Sequence, residues 1–313
     1  MEEPENHRAA WTLWTFPRIQ SLEDAVFYTL SYADVFNYPL TLVELHRYLV
    51  GWRISLADLA IAIRQIPGIV VQDGYYTFRH REAVIPLRRR REQIAAQMWP
   101  RALSYGAQIA QLPYVRMVAL TGALAVHNVD HGDDYDYLIV TAHGRVWVTR
   151  RLIVQLVVKP AARRGDEICP NYILSEAAMA LPERDLFHAH ELAQMIPLYG
   201  LPIYESLRQA NAWTEDFLPN AGGLPIPAPQ MPQLERHRRL WPELLLSTPV
   251  GTWLERREMS RLQRKLDPHG DCDEVQFSPD CCKGHIGAHG HSTFEAFAAR
   301  LQEARQTDLP MIG

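Results

Sequence analysis

Residues 114–141 read YVRMVALTGALAVHNVDHGDDYDYLIVT, and this stretch decides the fold expected for the middle of the chain. Its apolar run Val115–Leu120 predicts a strand that ends at Thr121-Gly122. A short helical turn over Ala123–His127 follows, and an acidic turn leads into a second predicted strand, Tyr135–Thr141. The pattern therefore predicts two apolar strands whose connection carries the polar residues.

Asp134 and Asp136 stand where the second predicted strand begins. Side chains two residues apart on a strand share a face, so these carboxylates repel each other unless a cation lies between them. Hard oxygen ligands suit Mg²⁺, and two such ions can align an attacking hydroxyl with a leaving pyrophosphate. The pair therefore predicts a site for Mg²⁺ and substrate phosphates.

Gly122 favours this interpretation, because a residue without a side chain lets the backbone approach a ligand closely. The turn after Gly122 presents N–H groups at a helix start, which offers a cradle for phosphate. The alternative is that residues 133–136 form a solvated acidic turn that opens a strand. Gly122 and its spacing from the acidic pair argue against that alternative.

Eleven residues separate Gly122 from Asp134, which together with Asp136 precedes an apolar strand. This combination, confined to Met117–Val140, resembles the nucleotidyltransferase superfamily of the DNA polymerase β type. The family pattern is Gly-Ser or Gly-Gly followed by an Asp-x-Asp pair. The resemblance implies a small mixed sheet with flanking helices, in which Asp134 and Asp136 are the catalytic ligands of two Mg²⁺ ions. It also implies that an NTP is the substrate and that Gly122 and Ala123 bind it.

The first departure from the family pattern is Ala123, which stands where the family usually has serine. The serine hydroxyl helps to hold a phosphate, and losing one hydrogen bond to a charged group costs about 1.5–3 kcal/mol. We therefore expect substrate binding to be weakened about tenfold or more, without being abolished.

The second departure concerns the third carboxylate, which a later strand supplies in the family. The corresponding predicted strand is Ile168–Leu174, and its matching position is Asn171, which cannot act as a base. Asp166, Glu167 and Glu176 lie near enough in sequence to substitute, and Glu167 is the first choice as third catalytic acid. If none of them reaches the metals, we expect the protein to bind nucleotide without turning it over.

The region upstream is predicted to contain three helices followed by a β-hairpin. Ser21, Thr41 and Ser55 are the predicted N-caps, and Asp73-Gly74 predicts a tight turn. The predicted elements are helices over Leu22–Phe36, Leu42–Leu49 and Leu56–Ile66 and strands over Ile69–Gln72 and Tyr75–Phe78. This order is the pattern of a winged helix-turn-helix.

The basic residues of this region have two interpretations each. The third predicted helix carries one cation, Arg64, whereas base readout usually needs several Arg, Lys, Asn or Gln side chains. A packing or protein-binding role is therefore the alternative to DNA binding. Arg88–Arg91 are predicted either to contact phosphates or to lie on the solvated face of a helix over Pro86–Leu112.

The second half of the chain carries weaker signals. Glu183–Gly200 is predicted as a helix with His188, His190 and Glu191 on a solvated or interdomain face. Residues 219–233 are rich in proline and are predicted to form a linker or surface strap. The last predicted elements are a helix over Leu234–Leu266, a strand over Val275–Ser278 and a helix over Thr293–Arg305. The cysteines and histidines from Cys272 to His291 match no usual zinc spacing, so a polar loop is preferred to structural zinc.

The composition excludes several classes of protein. The chain has 313 residues with 32 Lys+Arg against 36 Asp+Glu, so nucleic-acid binding by bulk positive charge is not expected. Its longest apolar run, Leu152–Val158, is interrupted by Gln155 and is far shorter than the roughly 20 residues of a membrane span. The acidic N-terminus does not resemble a secretory signal, and four cysteines do not make a disulfide framework. We therefore expect a cytoplasmic protein that does not associate with membranes.

Together these signals predict an α+β fold with four parts. The parts are a winged helix-turn-helix with an N-terminal arm over 1–95, a nucleotidyltransferase-like mixed sheet with flanking helices over 96–218, a proline-rich linker over 219–233 and a mainly helical region over 234–313. The leading hypothesis is Mg²⁺-dependent transfer of a nucleoside monophosphate from an NTP to a hydroxyl of a nucleic-acid or protein acceptor. The alternative is a winged-helix DNA-binding or regulatory protein whose central domain senses nucleotide or has lost catalysis. A third hypothesis, the nucleotidyltransferase half of a toxin–antitoxin pair, fits the length of 313 residues poorly.

Overall fold

The computed structural model describes residues 19–225, 243, 249–266, 276–283 and 289–307. Within these ranges the chain is a mixed α+β structure, in which helices surround one three-stranded and one six-stranded sheet. No helix in the described part of the chain is long and apolar enough to cross a membrane.

The N-terminal region folds from three helices and three short strands. They are α1 (Leu22–Val35), β1 (Leu40–Thr41), α2 (Leu42–Arg47), α3 (Leu56–Ala62), β2 (Ile69–Gln72) and β3 (Tyr75–Phe78). The strands form an antiparallel sheet in the order β1-β3-β2. Helix α1 packs on this sheet through Phe27, whose ring centroid lies 5.4 Å from that of Phe78.

Local sequence signals set the ends of these elements. The Ser21 side chain accepts a hydrogen bond from the Asp24 N–H, and Thr41 and Glu44 form a complete capping box. The turn residues Asp73 and Gly74 have φ angles of 53° and 84°. Two successive left-handed residues match the twist of a two-residue hairpin, so the turn closes β2 onto β3. The predicted helix starts and the predicted hairpin are therefore confirmed.

The central and C-terminal regions share one sheet. The central elements are α4 (Ile85–Ala110), β4 (Val115–Leu120), α5 (Gly122–Ala125), β5 (Tyr135–Thr141), α6 (Val146–Ile153), α7 (Lys159–Ala162), β6 (Ile168–Ser175), α8 (Leu186–Gln194), β7 (Ile196–Tyr199), α9 (Leu201–Ala210) and α10 (Thr214–Phe217). The C-terminal elements are α11 (Pro249–Leu266), β8 (Gln276–Ser278), β9 (Cys281–Lys283) and α12 (His289–Thr307). The strand order is β7-β4-β5-β6-β9-β8, with β5 and β6 parallel and the other neighbours antiparallel.

Strands β4 and β5 lie inside this sheet and have the bounds that the sequence predicts. Every residue of β5 is buried except Asp136, which is only partly exposed. The apolar side chains of the two strands pack against α4 on one face and against α8 and α9 on the other, as two clusters of buried residues. Asp136 is thus a carboxylate carried by one of the most buried strands of the protein.

The predicted helix over Glu183–Gly200 is wrong in its second half. Helix α8 begins after Asp185, which caps it, and ends at Gln194. Residues Ile196–Tyr199 instead form β7, the edge strand beside β4. Pro197 lacks an N–H and fits an edge position, where it need not donate to a second neighbour.

His190, one of three residues of α8 predicted to lie on a solvated or interdomain face, packs against the N-terminal region. His190 is 4% exposed and its ring stacks on that of Tyr32 in α1, with centroids 4.0 Å apart. Burial lowers the pKa of His190 to about 4, so the imidazole is neutral near pH 7. The solvated interpretation is therefore wrong for His190, which is buried between α8 and α1.

The C-terminal region contains more strand than predicted. The predicted polar loop after the strand near residue 276 contains a second strand, β9, which pairs with β6. Helix α12 packs on α1, where Arg300 lies 3.1 Å from Asp34. Cys281 and Cys282 are buried in β9, whereas Cys272 and His285 and the side chains of His289 and His291 lie outside the described residues.

Two further predictions fall partly outside the described residues. The predicted helix over Leu234–Leu266 is described only at residue 243 and from Pro249 onward. The predicted linker or strap over 219–233 is described up to residue 225, and that part is packed against the N-terminal region. Asn220 donates to the Trp52 carbonyl at 2.8 Å and accepts from the Ile54 N–H at 3.2 Å.

Candidate functional site

Three potential ligand groups meet where β5 and β6 begin. The carboxylates of Asp134 and Asp136 and the thiol of Cys169 have ligand atoms that all lie within 4.8 Å of one another. Asp134 directly precedes β5, and the parallel register places Cys169 beside Asp136. The predicted pairing of Asp134 with Asp136 is therefore present, and the third member of the cluster is a cysteine.

The backbone turn at Gly122 passes close to the side chain of Asp136. Its φ of 68° lies in the left-handed region, and a Cβ at this position would overlap Oδ2 of Asp136. The preceding Thr121 N–H donates to the Asp136 carbonyl at 3.0 Å. The glycine is therefore required here because the turn after β4 passes directly over the carboxylate.

Asp136 is a buried carboxyl group that the described residues do not fully satisfy. The Cys169 thiol donates a hydrogen bond to the carboxylate, but Oδ1 is buried and has no partner among the described residues. Burial, followed by the charges of Asp134 and Glu191, raises the pKa of Asp136 well above the usual carboxyl range. A cation beside these carboxylates would remove both the repulsion and the unsatisfied oxygen.

Cys169 shares the same electrostatic surroundings. Burial, together with the neighbouring charges of Asp136 and Asp134, raises the pKa of its thiol to about 12. The thiol is therefore protonated at neutral pH in the absence of a metal. No sequence pattern singled out Cys169, because its position opposite Asp136 follows from strand register and not from local spacing.

The acids considered for the third carboxylate lie elsewhere. Glu167 is exposed and outside the three-residue cluster, while its carbonyl accepts from the Tyr135 N–H at 2.9 Å. Asp166 pairs with Arg101 at 2.9 Å. Glu176 follows the far end of β6, seven strand positions and about 23 Å from Cys169. The catalytic role of Glu167 stays a prediction.

A cavity of about 350 Å³ opens beside Asp136. Its wall is formed by β5, β6, α8, β9 and the turn after β4. The apolar part of the lining includes Phe36, Leu138, Leu181, Phe187 and Leu192, and the polar part includes Asp136, Asn171, His188, Glu191 and Lys283. Gly122 and Ala123, the predicted phosphate contacts, also line it. Asn171 and Glu191 thus line the cavity. The sequence predicts Asn171 at the strand position that matches the family's third carboxylate, and Glu191 on a solvated or interdomain face.

Lys283 brings a positive charge into this wall. Its side chain is 11% exposed, and Nζ lies 3.2 Å from Glu183 Oε1 and 3.2 Å from His188 Nε2. Because the ammonium group can only donate, His188 accepts through Nε2 and donates through Nδ1 to Asp185 at 2.9 Å. The sequence carried no signal for Lys283, which reaches the cavity only because β9 pairs with β6.

The chain matches no family model, no curated protein and no solved structure. The chemistry of the site therefore rests on the residues that form it. These are two carboxylates, a thiol, a tight glycine turn and a cavity with polar groups on an otherwise apolar wall.

Proposed function

We propose that this protein is a Mg²⁺-dependent nucleotidyltransferase, which moves a nucleoside monophosphate from an NTP to a hydroxyl acceptor. The observation that carries the proposal is the state of Asp136. Its carboxylate lies beside that of Asp134 under the Gly122 turn, and one of its oxygens is buried without a partner in the described part of the chain. This matches the acidic pair that the resemblance to the polymerase β superfamily implies.

The donor set fits a hard divalent cation. Asp134 and Asp136 supply carboxylate oxygens, which Mg²⁺ prefers, and the buried oxygen of Asp136 is satisfied by such an ion. When bound, Mg²⁺ neutralises substrate phosphates and favours ionisation of the attacking hydroxyl. The role of Asp134 and Asp136 is to hold it where the Gly122 turn and the cavity meet.

The other residues of the site bind and orient the substrate. The Gly122–Ala123 backbone lies at the cavity wall, where it can approach phosphates closely. The apolar side chains of the cavity exclude water, and the Asn171 amide can both donate and accept hydrogen bonds. Lys283 places a cation on this wall and favours an anionic substrate.

The finer description of the fold belongs to the same proposal. We take the three helices and the sheet β1-β3-β2 as a winged helix-turn-helix, and the sheet around β4 and β5 as a nucleotidyltransferase core. The element order supports both assignments. The winged helix would position an acceptor or a partner protein.

Cys169 favours a second candidate function, nucleotide binding without transfer. It lies beside Asp136, on the strand where the superfamily supplies a third acid. A protonated thiol does not accept a proton from an acceptor hydroxyl, and it is a poor ligand for Mg²⁺. In this case the central sheet would sense a nucleotide on behalf of the N-terminal region.

The first experiment measures nucleotide binding. Calorimetric titration with each of the four NTPs, with and without Mg²⁺, would compare the wild type with the variant Asp134→Asn plus Asp136→Asn. We expect Mg²⁺-dependent binding that the double variant loses while its circular dichroism stays unchanged. Asp133→Asn is the matched control, because Asp133 is exposed in the same acidic turn and lies outside the cluster. Equal binding by the double variant would contradict the site assignment.

The second experiment separates transfer from binding. Pyrophosphate release would be followed with candidate hydroxyl acceptors for the wild type and for Cys169→Asp. Release by the wild type supports transfer. Release by Cys169→Asp alone supports a core that binds nucleotide and lacks only the third acid. Binding without release by either protein supports a sensor.

A further inference from the structure

A group of exposed Arg and Lys side chains lies on the helices that cover one side of the six-stranded sheet. Residues 146–164 contain five cations and no acid, and helix α11 contains five cations and two acids. The two acids, Glu255 and Glu258, are buried. The chain as a whole has a formal net charge of −4, so the positive charge of this surface is a local feature. We call these exposed cations the basic face, which consists of Arg151, Lys159, Arg163, Arg164, Arg256, Arg257, Arg261 and Arg264.

The helices of the basic face form one continuous outer surface. α6 and α7 are joined by a π-helical segment, Val154–Val158, and their buried side chains belong to the same hydrophobic cluster as Leu262 of α11. Glu258 of α11 accepts from Arg151 of α6 at 2.5 Å and from Arg261 at 2.9 Å. Because this shared carboxylate holds α6 against α11, the outward sides of the two helices meet.

Buried acids neutralise only part of the charge of the basic face. Glu258 pairs with two of its arginines, whereas Glu255 accepts from the Trp147 and Val148 N–H groups at 2.7 and 2.8 Å. The other cations of the face form no ion pair with a carboxylate in the described part of the chain. A surface with such a surplus of one charge creates a positive potential, which attracts an extended anion from solution.

The basic face leads to the edge of the sheet that carries the candidate active site. The segment from α6 to α7 crosses from the end of β5 back to the start of β6, where Cys169 lies beside Asp136. Arg163 and Arg164 belong to the turn that enters β6. Helix α11 runs in the same direction as α6, because its successive carboxylates contact first the start and then the later part of α6. Both segments therefore carry their last cations toward this edge.

An exposed indole ring lies at the other end of the basic face. Trp253 is 55% exposed, and the guanidinium carbon of Arg257 lies 5.1 Å from the centroid of its ring. Exposed aromatic rings beside cations are surfaces on which unpaired nucleic-acid bases stack. A bilayer is a poorer partner, because the apolar side of α11, with Leu262, packs against the sheet and is not available for insertion.

We propose that the basic face binds a single strand of RNA or DNA. Repeated phosphates match the surplus of positive charge, and seven of the eight cations that define the face are arginines, whose planar guanidinium groups can donate two hydrogen bonds to one phosphate. Trp253 stacks on an unpaired base, which a duplex does not offer.

Binding of the strand does not depend on the proposed function. A role for the bound strand as the hydroxyl acceptor does rest on the proposed function, because the basic face leads to the edge where Asp134 and Asp136 lie.

Fluorescence anisotropy of labelled oligonucleotides tests the proposal with the full chain. Oligouridine, oligothymidine and a DNA duplex of the same length would be titrated without NTP at several salt concentrations. We expect the single strands to bind more tightly than the duplex, with an affinity that falls as the salt concentration rises. Tighter binding of one of the two single strands would identify the ligand as RNA or as DNA.

Two variants separate charge from stacking. Arg256→Gln plus Arg257→Gln should weaken binding of the single strand about tenfold or more, and should reduce the slope of log affinity against log salt by about 1.4, because two phosphate contacts are lost. Trp253→Ala should weaken binding about fivefold or more and leave that slope unchanged, because stacking releases no counterions. Circular dichroism should be unchanged in both variants, since the substituted residues are exposed.

The matched control is Arg89→Gln plus Arg90→Gln, which removes two exposed charges of α4 outside the basic face. This control should bind the single strands as the wild type does. Equal weakening by the control, equal binding of the duplex, or binding only to vesicles of phosphatidylserine and phosphatidylcholine would overturn the proposal. Asp134→Asn plus Asp136→Asn should still bind the strand, so failure of the nucleotidyltransferase assignment is distinguishable from failure of this proposal.

Discussion

Arg88 and Asp136 are both ionisable residues that folding largely removes from water, and they differ in how their polar atoms are satisfied. The Arg88 guanidinium donates to Glu44 at 2.9 Å and to Glu92 at 2.8 Å. It also donates to the Val126 carbonyl at 3.1 Å, so each of its three nitrogens has an acceptor. Oδ1 of Asp136 has no such partner among the described residues. The first arrangement is complete without a ligand, whereas the second leaves an oxygen that a bound cation would satisfy.

The comparison also corrects the interpretation of Arg88 and Arg91, whereas Arg89 and Arg90 are exposed on α4, as the solvated-face alternative predicts. The sequence offered phosphate contact or a solvated helix face, and neither describes Arg88, which is 2% exposed. Arg91 pairs with Asp130 at 2.6 Å and likewise joins α4 to another part of the chain. The density of charge along the sequence does not predict which of these arginines are buried, because the groups that accept their hydrogen bonds come from residues distant in sequence.

The largest effect is expected for Arg88→Met. This change leaves Glu44 and Glu92 without their shared counter-charge, and breaking a buried ion pair costs about 3–5 kcal/mol. Urea unfolding would measure the loss. The matched control is Arg89→Met, because Arg89 pairs with Asp73 at the surface, where an ion pair contributes at most about 1 kcal/mol. Similar losses in the free energy of unfolding for the two variants would show that the buried ion pairs of Arg88 contribute no more than the surface pair of Arg89.

A smaller effect is expected for Gly122→Ala. The new methyl group meets both the left-handed φ of 68° and the Asp136 carboxylate, and we expect a loss of about 2–3 kcal/mol. Gly144→Ala is the control, because Gly144 has a φ of 66° and no atom within 4 Å of its Cβ position. It should lose about 1 kcal/mol from backbone strain alone. If both variants lose the same amount by urea unfolding, Gly122 is not required by its contact with Asp136.

Local signals account for much of the fold. Strands β4 and β5 were predicted with their observed bounds, because an apolar run between polar turns is readable without the rest of the chain. Strands β7 and β9 were missed, because each is short and is defined by pairing with a strand distant in sequence. The single strand predicted near residue 276 therefore became two.

The same division holds within the candidate site. Spacing along the chain singled out Gly122, Asp134 and Asp136, and the structure brings them together. Cys169 and Lys283 reach the site through the pairings of β6 with β5 and with β9, and the sequence alone does not give those registers. Site residues that lie close together in sequence could be predicted, whereas the residues that join them from other strands could not, because their positions depend on the strand pairing.

The smallest effect, and one of opposite sign, is expected for Asp136→Asn. We expect this variant to be about 1 kcal/mol more stable than the wild type near neutral pH, since the amide is neutral in both states, whereas the buried Asp136 carboxyl group must take up a proton on folding. The folded protein raises the pKa of Asp136, so it binds this proton more tightly than the unfolded chain does. The contribution of the protonated Asp136 to the stability of the fold is fully present below about pH 4 and is lost as the pH rises through the raised pKa.

The pH dependence of this difference tests the comparison most closely. Because the amide that replaces the carboxyl group has no proton to lose, the advantage of Asp136→Asn over the wild type should grow as the pH rises from about 4 to neutral, as measured by urea unfolding. Mg²⁺ should then reduce the gap, since only the wild type has the carboxylate that binds it. Asp133→Asn should show neither trend, because Asp133 is exposed and outside the cluster. A gap that is constant with pH, or a more stable wild type, would mean that Asp136 is satisfied within the fold as Arg88 is, and that it has no need of a ligand.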